Sequence, residues 1–395
     1  MDIYITRQPV YDRDLSVFGY QLLYHATHPS SDEISGDSAL NLLNSLLDMG
    51  LNKMVGDRLG IIDFSQELSN EKFTLPFSSQ QILLKLPTTA NLNEQIVEQM
   101  KQMVKARYKV MIHDHQLVAK FQDIRRYASI IMVDFQATTL QNVIKKIVEL
   151  KKLQIPLMAL NVDNYQQMGL CNELKINYVQ GDFFNKPNIV KGKKTPANRL
   201  SILKILEKLQ KPHVTVSELE KVISQDVTIS YKLLRYVNSA AYAIPRKVES
   251  VRHAIVYLGN EIVKNCATMV LLSSVDDKPS ELIQIAMIRS KMCGSLAKSF
   301  NKEQTESFAT VGLFSILDAL IDKPMPELLA ELPLTNELKL ALEKREGKMG
   351  QLLTMVIDYE KGEFSEKNEF NVSYKEMQTC YIESVEWAQD LIKSL

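Results

Sequence analysis

The sequence predicts two regions, an N-terminal α/β region built as a (β/α) barrel and a C-terminal all-α region. Two observations predict this division. In the first 190 residues, short apolar runs alternate with segments whose apolar residues recur at helical spacing, whereas beyond residue 196 the strand pattern fades and helical spacing dominates. The length of 395 residues also suits two or three domains.

The barrel prediction depends on repeated βα units. An opening hairpin is expected over Val10–Tyr24, with its turn at Asp12–Asp14. Six further strands separated by helices favour a closed barrel over an open sheet. The predicted strands are Leu59–Phe64, Ile82–Leu86, Tyr108–Ile112, Ser129–Val133, Ile155–Leu160 and Ile176–Val179.

A polar, basic segment separates the two regions. Lys191–Pro196 combines glycine, lysine and proline, and Thr195 followed by Pro196 is typical of a helix start. We therefore predict a barrel domain over 1–190, a linker over 191–197 and a helical domain over 198–395.

Capping residues predict individual helices in the second region. Ser217–Glu220 reads as a capping box, and Asp226 and Ser250 are each expected to cap a helix. The helix after Asp226 would bury Ile229, Leu233, Val237 and Ala240. Gly259 stands where the helix after Ser250 should end.

Composition and charge exclude several kinds of partner. The chain has 47 basic and 47 acidic residues, so it lacks the basic surplus that nucleic acids or an anionic membrane surface would require. The longest uncharged apolar stretch, 265–275, is too short to cross a bilayer, and no basic, apolar leader opens the sequence. Four widely spaced cysteines are typical of a reducing compartment. We expect a cytoplasmic protein without nucleic-acid or membrane partners.

Polar residues are expected at the carboxyl ends of the barrel strands, where barrel enzymes carry their chemistry. His113 and His115 could bind a metal if they followed each other on one strand face. No further histidine occurs before His213, so the sequence favours solvated imidazoles and no metal. The complete ring is Gln21, Asp63, Lys85, His113, Asp114, Asp134, Asn161 and Gln180.

Three segments of the first region resemble the EAL domain, a family that hydrolyses cyclic di-GMP with two divalent metal ions. They are Arg7–Asp12, Gly19–Tyr24 and Gln180–Pro187. The second region resembles the HDOD domain, a relative of the HD phosphohydrolases. The residues that carry this second resemblance are Asp226, Lys232–Leu234, Asn238–Ala240, Tyr242, Ala254–Ile255 and Leu258–Gly259. Together the two resemblances identify an EAL–HDOD tandem over nearly the whole chain.

The resemblance also implies where the metal-binding residues of an EAL domain should stand, and most of them are changed. Only Asp114, Asp134 and Gln180 keep the identity that the family implies. Gln21 stands in place of a glutamate, His25 of an arginine, Asp63 of an asparagine, Lys85 of a glutamate, His113 of an aspartate, Met132 of a lysine and Leu160 of a glutamate.

These changes oppose two-metal hydrolysis. A neutral amide at Gln21 is a weak ligand, and the ammonium of Lys85 repels a cation. We predict that Lys85 pairs with Asp63 or Asp114 and stands where a metal ion stood, with a solvated strand-end lysine as the alternative.

The helical region shows a similar loss. Ser315 and Ile316 occupy the place of the His-Asp doublet of HD hydrolases, and His213 and His253 are expected to be surface or capping residues. Asn238 and Ser239 are expected to bond local backbone at a helix end. The helices that meet at 258–260 resemble a helix-turn-helix, but the second helix offers only Lys264 as a basic residue. DNA binding is therefore not predicted.

The sequence thus predicts a non-enzymatic signalling protein of the EAL–HDOD type, without a cofactor, that acts by binding an unidentified signalling protein. A homodimer is compatible with the sequence. One alternative is a cyclic di-GMP receptor that uses Gln180, Asp114, Asp134 and Gln21. Another is a residual phosphodiesterase that uses Asp63, Asp114 and Asp134.

Overall fold

A computed structural model describes nine stretches of the chain. Its contacts divide the chain into two compact units, Met1–Phe183 and Phe184–Leu395. The predicted linker falls largely on residues outside the description, as do Thr195, Pro196, Ala240 and Tyr242, so the domain boundaries stay a prediction. The described residues are 3–26, 37–63, 75–88, 92–117, 124–188, 197–239, 247–275, 278–365 and 368–394.

The first unit is a closed barrel of eight strands that neighbour each other in chain order. Strand β1 runs antiparallel to β2 and β8, and the other neighbouring strands are parallel. The predicted (β/α) barrel is confirmed. The strands are β1 Ile3–Tyr11, β2 Val17–Ala26, β3 Leu59–Asp63, β4 Ile82–Lys85, β5 Lys109–His113, β6 Ala128–Asp134, β7 Leu157–Leu160 and β8 Tyr178–Val179. The helices of this unit are α1 Asp37–Met49, α2 Leu51–Val55, α3 Glu94–Lys105, α4 Leu140–Leu150 and α5 Tyr165–Glu173.

The opening hairpin is confirmed and is longer than predicted. Asp12 Oδ1 accepts hydrogen bonds from the backbone N–H groups of Asp14 (3.0 Å) and Ser16 (2.9 Å), which fixes the turn. Because strand pairing continues to Ala26, Gln21 lies within β2 opposite Gln8, not at a strand end as predicted.

The interior of the barrel is apolar. Side chains from every strand except β2 and β8 form one buried cluster, so the barrel centre is packed and not open. Phe18 of β2 and Tyr178 of β8 pack against it and are partly buried. The buried members are Val10, Ile61, Leu83, Met111, Ile130, Met132, Met158 and Leu160.

In its described part, the second unit is all-helical, as predicted. Its central helix is α10, which is buried from Val263 to Leu272 and packs against α6, α7, α8, α9, α11 and α12. The helices are α6 Ala197–Leu209, α7 Val216–Ser224, α8 Val227–Val237, α9 Val251–Leu258, α10 Asn260–Leu272, α11 Ser280–Ala297, α12 Thr305–Phe314, α13 Leu317–Ile321, α14 Met325–Glu331, α15 Asn336–Lys344, α16 Gly347–Lys361 and α17 Tyr374–Ser394.

Most predicted caps of these helices are confirmed. Asp226 accepts from the N–H groups of Thr228 (2.8 Å) and Ile229 (3.0 Å), Ser250 caps α9, and Gly259 ends it with φ 89°. The predicted capping box is wrong by two residues, because α7 begins at Val216 and Ser217 lies inside its first turn. The box is formed by Thr215 and Glu218, which bond to each other's backbone N–H groups.

One partly buried carboxylate bonds to residues on both sides of the segment 189–196. Asp322 accepts hydrogen bonds from the backbone N–H of Asn188 (2.6 Å) and from the guanidinium of Arg199, the third residue of α6. Lys278 Nζ bonds to the same carboxylate at 2.6 Å. The chain on either side of this segment therefore belongs to the helical unit.

Composition predicts reduced cysteines and no membrane-spanning segment. All four cysteines are buried and none is in a disulfide; burial raises the pKa of Cys171 and of Cys380 to about 12. Among the residues that the structure describes, no helix is both long and apolar enough to span a bilayer.

Candidate site at the mouth of the barrel

The carboxyl ends of β3 and β4 carry an ion pair. Asp63 and Lys85 are neighbours in the strand register, and Lys85 Nζ lies 3.3 Å from Asp63 Oδ1. The Lys85 side chain is 14% exposed and that of Asp63 is 47% exposed. The predicted pairing of Lys85 is confirmed, with Asp63 as its partner. The alternative of a solvated lysine is wrong, because most of the Lys85 side chain is covered by the protein.

Asp114 has a different cation. Its Oδ2 forms an ion pair with Lys146 of α4, and its Oδ1 lies 3.8 Å from His115 Nδ1. Lys146 is one of several lysines on the helices of the barrel, so the sequence around Asp114 did not indicate it as the partner.

His113 is buried, which corrects the prediction of a solvated imidazole. Only 3% of its surface is exposed, and its Nε2 lies 2.9 Å from Thr88 Oγ1. Burial, followed by the charges of Lys85 and His115, lowers the pKa of His113 to about 4. The ring is therefore neutral at pH 7.

His115 does not follow His113 on the same strand. It lies in a short 3-10 turn over 114–116, and its Nε2 is 3.1 Å from the carbonyl of Thr88. The two imidazole rings are 5.3 Å apart, and each has a bonding partner on Thr88.

Three glutamine amides, from β1, from β2 and from the end of β8, meet in one cluster. Gln180 Nε2 donates to Gln21 Oε1 at 3.0 Å and lies 3.3 Å from Gln8 Oε1. Gln21 and Gln180 are both buried. The structure thus joins two predicted ligand residues to each other, and it adds Gln8, which the sequence analysis missed although it lies in the motif Arg7–Asp12.

A close backbone contact holds Gln180 in this place. A Cβ on Gly181 would lie 2.1 Å from the carbonyl oxygen of Val162, so only glycine fits. The N–H of Val162 donates to the carbonyl of Gln180 at 3.1 Å, and the N–H of Gln180 donates to Ala159 at 2.8 Å.

Asp134 is bound within its own neighbourhood. Its Oδ1 accepts hydrogen bonds from Asn161 Nδ2 (2.9 Å) and from the N–H of Gln136 (2.8 Å). Asn161 adopts a left-handed backbone with φ 56°, which turns its amide toward Asp134. Asp134 and Asn161 therefore lie together.

The remaining changed positions are also occupied by ordinary packing. Met132 and Leu160 lie in the apolar interior cluster of the barrel. His25 stacks on Tyr4 with ring centres 4.8 Å apart, and its Nε2 lies 2.9 Å from Thr6 Oγ1. Burial lowers the pKa of His25.

These residues do not fit the two divalent ions that an EAL domain uses. Such ions need several anionic oxygens held around a pair of positions about 4 Å apart. Here an amide, an ammonium, a buried neutral imidazole and apolar side chains hold most of these places. The remaining carboxylates, Asp63, Asp114 and Asp134, each bond to a different partner. Within the described residues, no three His, Cys, Asp or Glu side chains group closely enough to hold a metal ion.

The corresponding place in the helical unit contains a buried ion pair. Ile316 is 1% exposed, and Ser315 Oγ accepts a hydrogen bond from Arg289 Nη1 at 3.3 Å. Arg289 also bonds to both carboxylate oxygens of Glu360, at 2.6–3.1 Å. This pair was not predicted from the sequence, although Arg289 is the only arginine in the largely apolar helix α11 and so indicated a buried charge in need of a partner.

Other predicted features of the helical unit keep structural roles. His213 and His253 are exposed. Asn238 bonds to the backbone of Leu234 and of Val248, as expected for a helix end. The prediction is wrong for the Ser239 side chain, because its buried hydroxyl has no hydrogen-bond partner among the described residues. The second helix of the apparent helix-turn-helix is α10, which is buried along most of its length and has no free face for a DNA groove.

Comparisons with known proteins support the tandem organisation. Residues 196–349 match the HDOD domain family. The chain is 24% identical to the uncharacterized protein YuxH of Bacillus subtilis, over 99% of both chains. It is 25% identical to the cyclic di-GMP phosphodiesterase CdgJ of Vibrio cholerae, over 98% of this chain and 93% of that protein. The resemblance of the second region to the HDOD domain is confirmed.

Solved structures also align with part of the chain. The EAL enzyme Bd1971, bound to cAMP and cyclic di-GMP, is 16% identical, with a TM-score of 0.37 over 47% of this chain and 62% of that chain. An EAL domain protein from Listeria monocytogenes is 14% identical, with a TM-score of 0.36 over 46% of this chain and 87% of that chain.

Proposed function

We propose that the chain is a cytoplasmic, non-enzymatic signal-transduction protein that belongs to cyclic di-GMP signalling and acts by binding another protein. The HDOD match and the full-length similarity to CdgJ support the link to this signalling system. The chemistry of the barrel mouth supports the absence of hydrolysis.

The observation that carries the proposal is the ammonium of Lys85 beside Asp63. Hydrolysis by two metal ions needs anionic ligands that lower the pKa of a bound water from 15.7 toward about 7. A cation 3.3 Å from one remaining carboxylate occupies that carboxylate and opposes metal binding. Met132 and Leu160 add apolar packing where the family resemblance implies a base and a ligand.

The first alternative is a receptor that binds cyclic di-GMP without hydrolysis. Gln180 supports it, since the family resemblance places this residue near a guanine. However, its amide donates to Gln21 and lies close to Gln8, so a ligand would have to replace these contacts. The second alternative is a residual phosphodiesterase, and the similarity to the cyclic di-GMP phosphodiesterase CdgJ favours it. The three aspartates that this activity would use each bond to a different partner, which opposes it.

The test is calorimetric titration of the purified full chain with cyclic di-GMP, with and without Mg²⁺ or Mn²⁺, followed by chromatography for the linear product. CdgJ serves as the positive control. We expect no product under conditions in which CdgJ completes the reaction. Linear product from this chain, lost in Asp134→Asn, would overturn the proposal in favour of the phosphodiesterase.

Binding without product would instead favour the receptor. In that case Gln180→Ala and Asp114→Asn, made separately, identify the site, with the exposed Gln351→Ala in the helical unit as a matched control. If the chain neither binds cyclic di-GMP nor forms product, binding to another protein is the function that remains. Affinity purification of the tagged full chain, followed by mass spectrometry of the proteins it retains, tests this function.

A further inference from the structure

The helical unit contains a cavity of about 370 Å³ beside helix α16. Met355 of α16 and two phenyl rings from the following segment, Phe364 and Phe370, give it an apolar lining. Met355 and Phe364 are buried. A cavity of this size with apolar walls and a few polar groups is typical of a site for a small molecule.

Arg345 is the one cation among the described residues that line the cavity. It ends helix α15 in a left-handed backbone conformation with φ 60°, which glycine or asparagine adopts more readily. Helix α16 packs directly on it, because a Cβ on Gly350 would lie 2.2 Å from the Arg345 carbonyl carbon. The backbone of Arg345 is therefore fixed beside the cavity.

The guanidinium of Arg345 has no bonding partner among the described residues. The residue is partly buried, and its Nη1 is buried without a hydrogen bond. Burial, followed by the charge of Arg289, lowers the pKa of Arg345, and Asp318 opposes this without forming an ion pair with it. Because buried charges are normally paired, an anionic group from outside the chain would complete this site.

The same cavity also has carboxylates without a cation. Asp358, Glu363 and Glu369 line it, and none of them forms an ion pair with a described residue. Burial, followed by the charge of Glu363, raises the pKa of Asp358, and Lys361 only partly opposes this. A positively charged group placed between these carboxylates would reduce their repulsion.

We infer that this cavity binds a free α-amino acid with a large apolar side chain. The amino acid's carboxylate would bind Arg345, its ammonium would bind Asp358 and the neighbouring carboxylates, and its side chain would pack on Phe364 and Phe370. The three carboxylates would repel a ligand with only negative charge, and Arg345 would repel one with only positive charge. The inference goes beyond the proposed function and does not depend on it.

The test is calorimetric titration of the full chain with L-phenylalanine, L-leucine and L-methionine. Two analogues of phenylalanine separate its charges, since phenylpropionate lacks the ammonium and phenethylamine lacks the carboxylate. We expect at least one of the three amino acids to bind, and each analogue to bind roughly tenfold or more weakly than phenylalanine. Absence of binding by all three amino acids, or an analogue that binds as tightly as phenylalanine, overturns the inference.

Matched variants then test the two charged groups. Arg345→Gln and Asp358→Asn should each weaken amino-acid binding roughly tenfold or more, whereas Lys344→Gln, at an exposed neighbour on α15, should leave it unchanged. Thermal unfolding checks that each variant folds, and if Arg345→Gln does not, Asp358→Asn and the two analogues decide. Parental affinity in Arg345→Gln overturns the inference and leaves the proposed function standing.

Discussion

The barrel mouth and the core of the helical unit each carry a basic side chain paired with a carboxylate. In both places the family resemblance implies a metal centre, but the two pairs differ in their contacts and burial. Lys85 makes a single contact of 3.3 Å with a half-exposed Asp63. Arg289 makes a two-pronged contact with Glu360, with side chains only 10% and 18% exposed, and also bonds to Ser315.

The two ion pairs differ in burial, and therefore in how much each contributes to the stability of the fold. An ion pair with a half-exposed partner such as Asp63 contributes less to stability because water and salt screen it, whereas a pair in which both partners are mostly buried is costly to break because one charge is left behind. The barrel mouth can therefore change its contacts at low cost, and the Arg289–Glu360 pair cannot.

The largest effect is expected from breaking the buried pair. Glu360→Gln should lower the free energy of unfolding by about 3–5 kcal/mol, because Arg289 is left as an unpaired buried charge. Urea unfolding of the full chain measures this loss, with exposed Glu363→Gln as the control. Replacing both partners, Arg289→Met with Glu360→Leu, should restore at least half of it. A loss below about 1 kcal/mol for Glu360→Gln would contradict the comparison.

The second effect is a pH dependence at the barrel mouth. The pKa of His113 is about 4 in the folded protein and about 6.5 when unfolded, so the unfolded chain binds the extra proton between these values. The stability that neutral His113 contributes is complete above pH 6.5 and is lost as the pH falls to 4, by at most about 3 kcal/mol.

This loss should be much smaller in His113→Gln and unchanged in His253→Gln, which changes an exposed histidine of the helical unit, when unfolding is measured between pH 4 and 7. Asp318 of the helical unit contributes with the opposite sign, because burial raises its pKa and the folded state holds its proton more tightly. Equal pH slopes in the parent protein and in His113→Gln would show that His113 is not buried as described.

Glycines at close backbone contacts give the third effect. A Cβ on Gly181 would lie 2.1 Å from the Val162 carbonyl, and one on Gly312 would lie 2.4 Å from the Arg289 carbonyl. Each Gly→Ala change should cost about 1–3 kcal/mol through overpacking. Gly169→Ala, with nothing within 4 Å of its Cβ in helix α5, should instead stabilise by about 0.5–1 kcal/mol. Equal changes at all three sites would exclude the steric explanation.

The smallest effect on stability is expected at Lys85. Lys85→Met should change the free energy of unfolding by less than about 1 kcal/mol, as for other partly exposed pairs. Lys85→Glu removes the repelling charge and adds a carboxylate beside Asp63, so Mn²⁺ should bind at least tenfold more tightly than to the parent protein, as measured by electron paramagnetic resonance. Tight Mn²⁺ binding at the barrel mouth of the parent protein would refute the role given to Lys85.

The sequence predicted the fold better than the site. Apolar runs located the barrel strands to within a few residues, because alternating apolar and polar segments depend on local spacing. Asp226 and Ser250 were found as caps for the same reason. The pairing of Lys85 followed from charge and strand order.

Other contacts of the site could not be predicted because they join distant parts of the chain. Arg289 and Glu360 are 71 residues apart, and Asp114 meets Lys146 on a helix that follows the next strand. The burial of His113 depends on Thr88, which lies beyond a neighbouring strand. Sequence spacing carries no information on which of many charged surface residues completes such a pair.

The carboxylate of Asp322, which holds Asn188 and Arg199 on either side of the segment 189–196, makes this segment a natural place for protein engineering. Both ends of an inserted reporter domain would be anchored in the helical unit by hydrogen bonds that the insertion does not touch. An insertion between these two residues should therefore leave both hydrogen bonds, and the fold of the helical unit, in place.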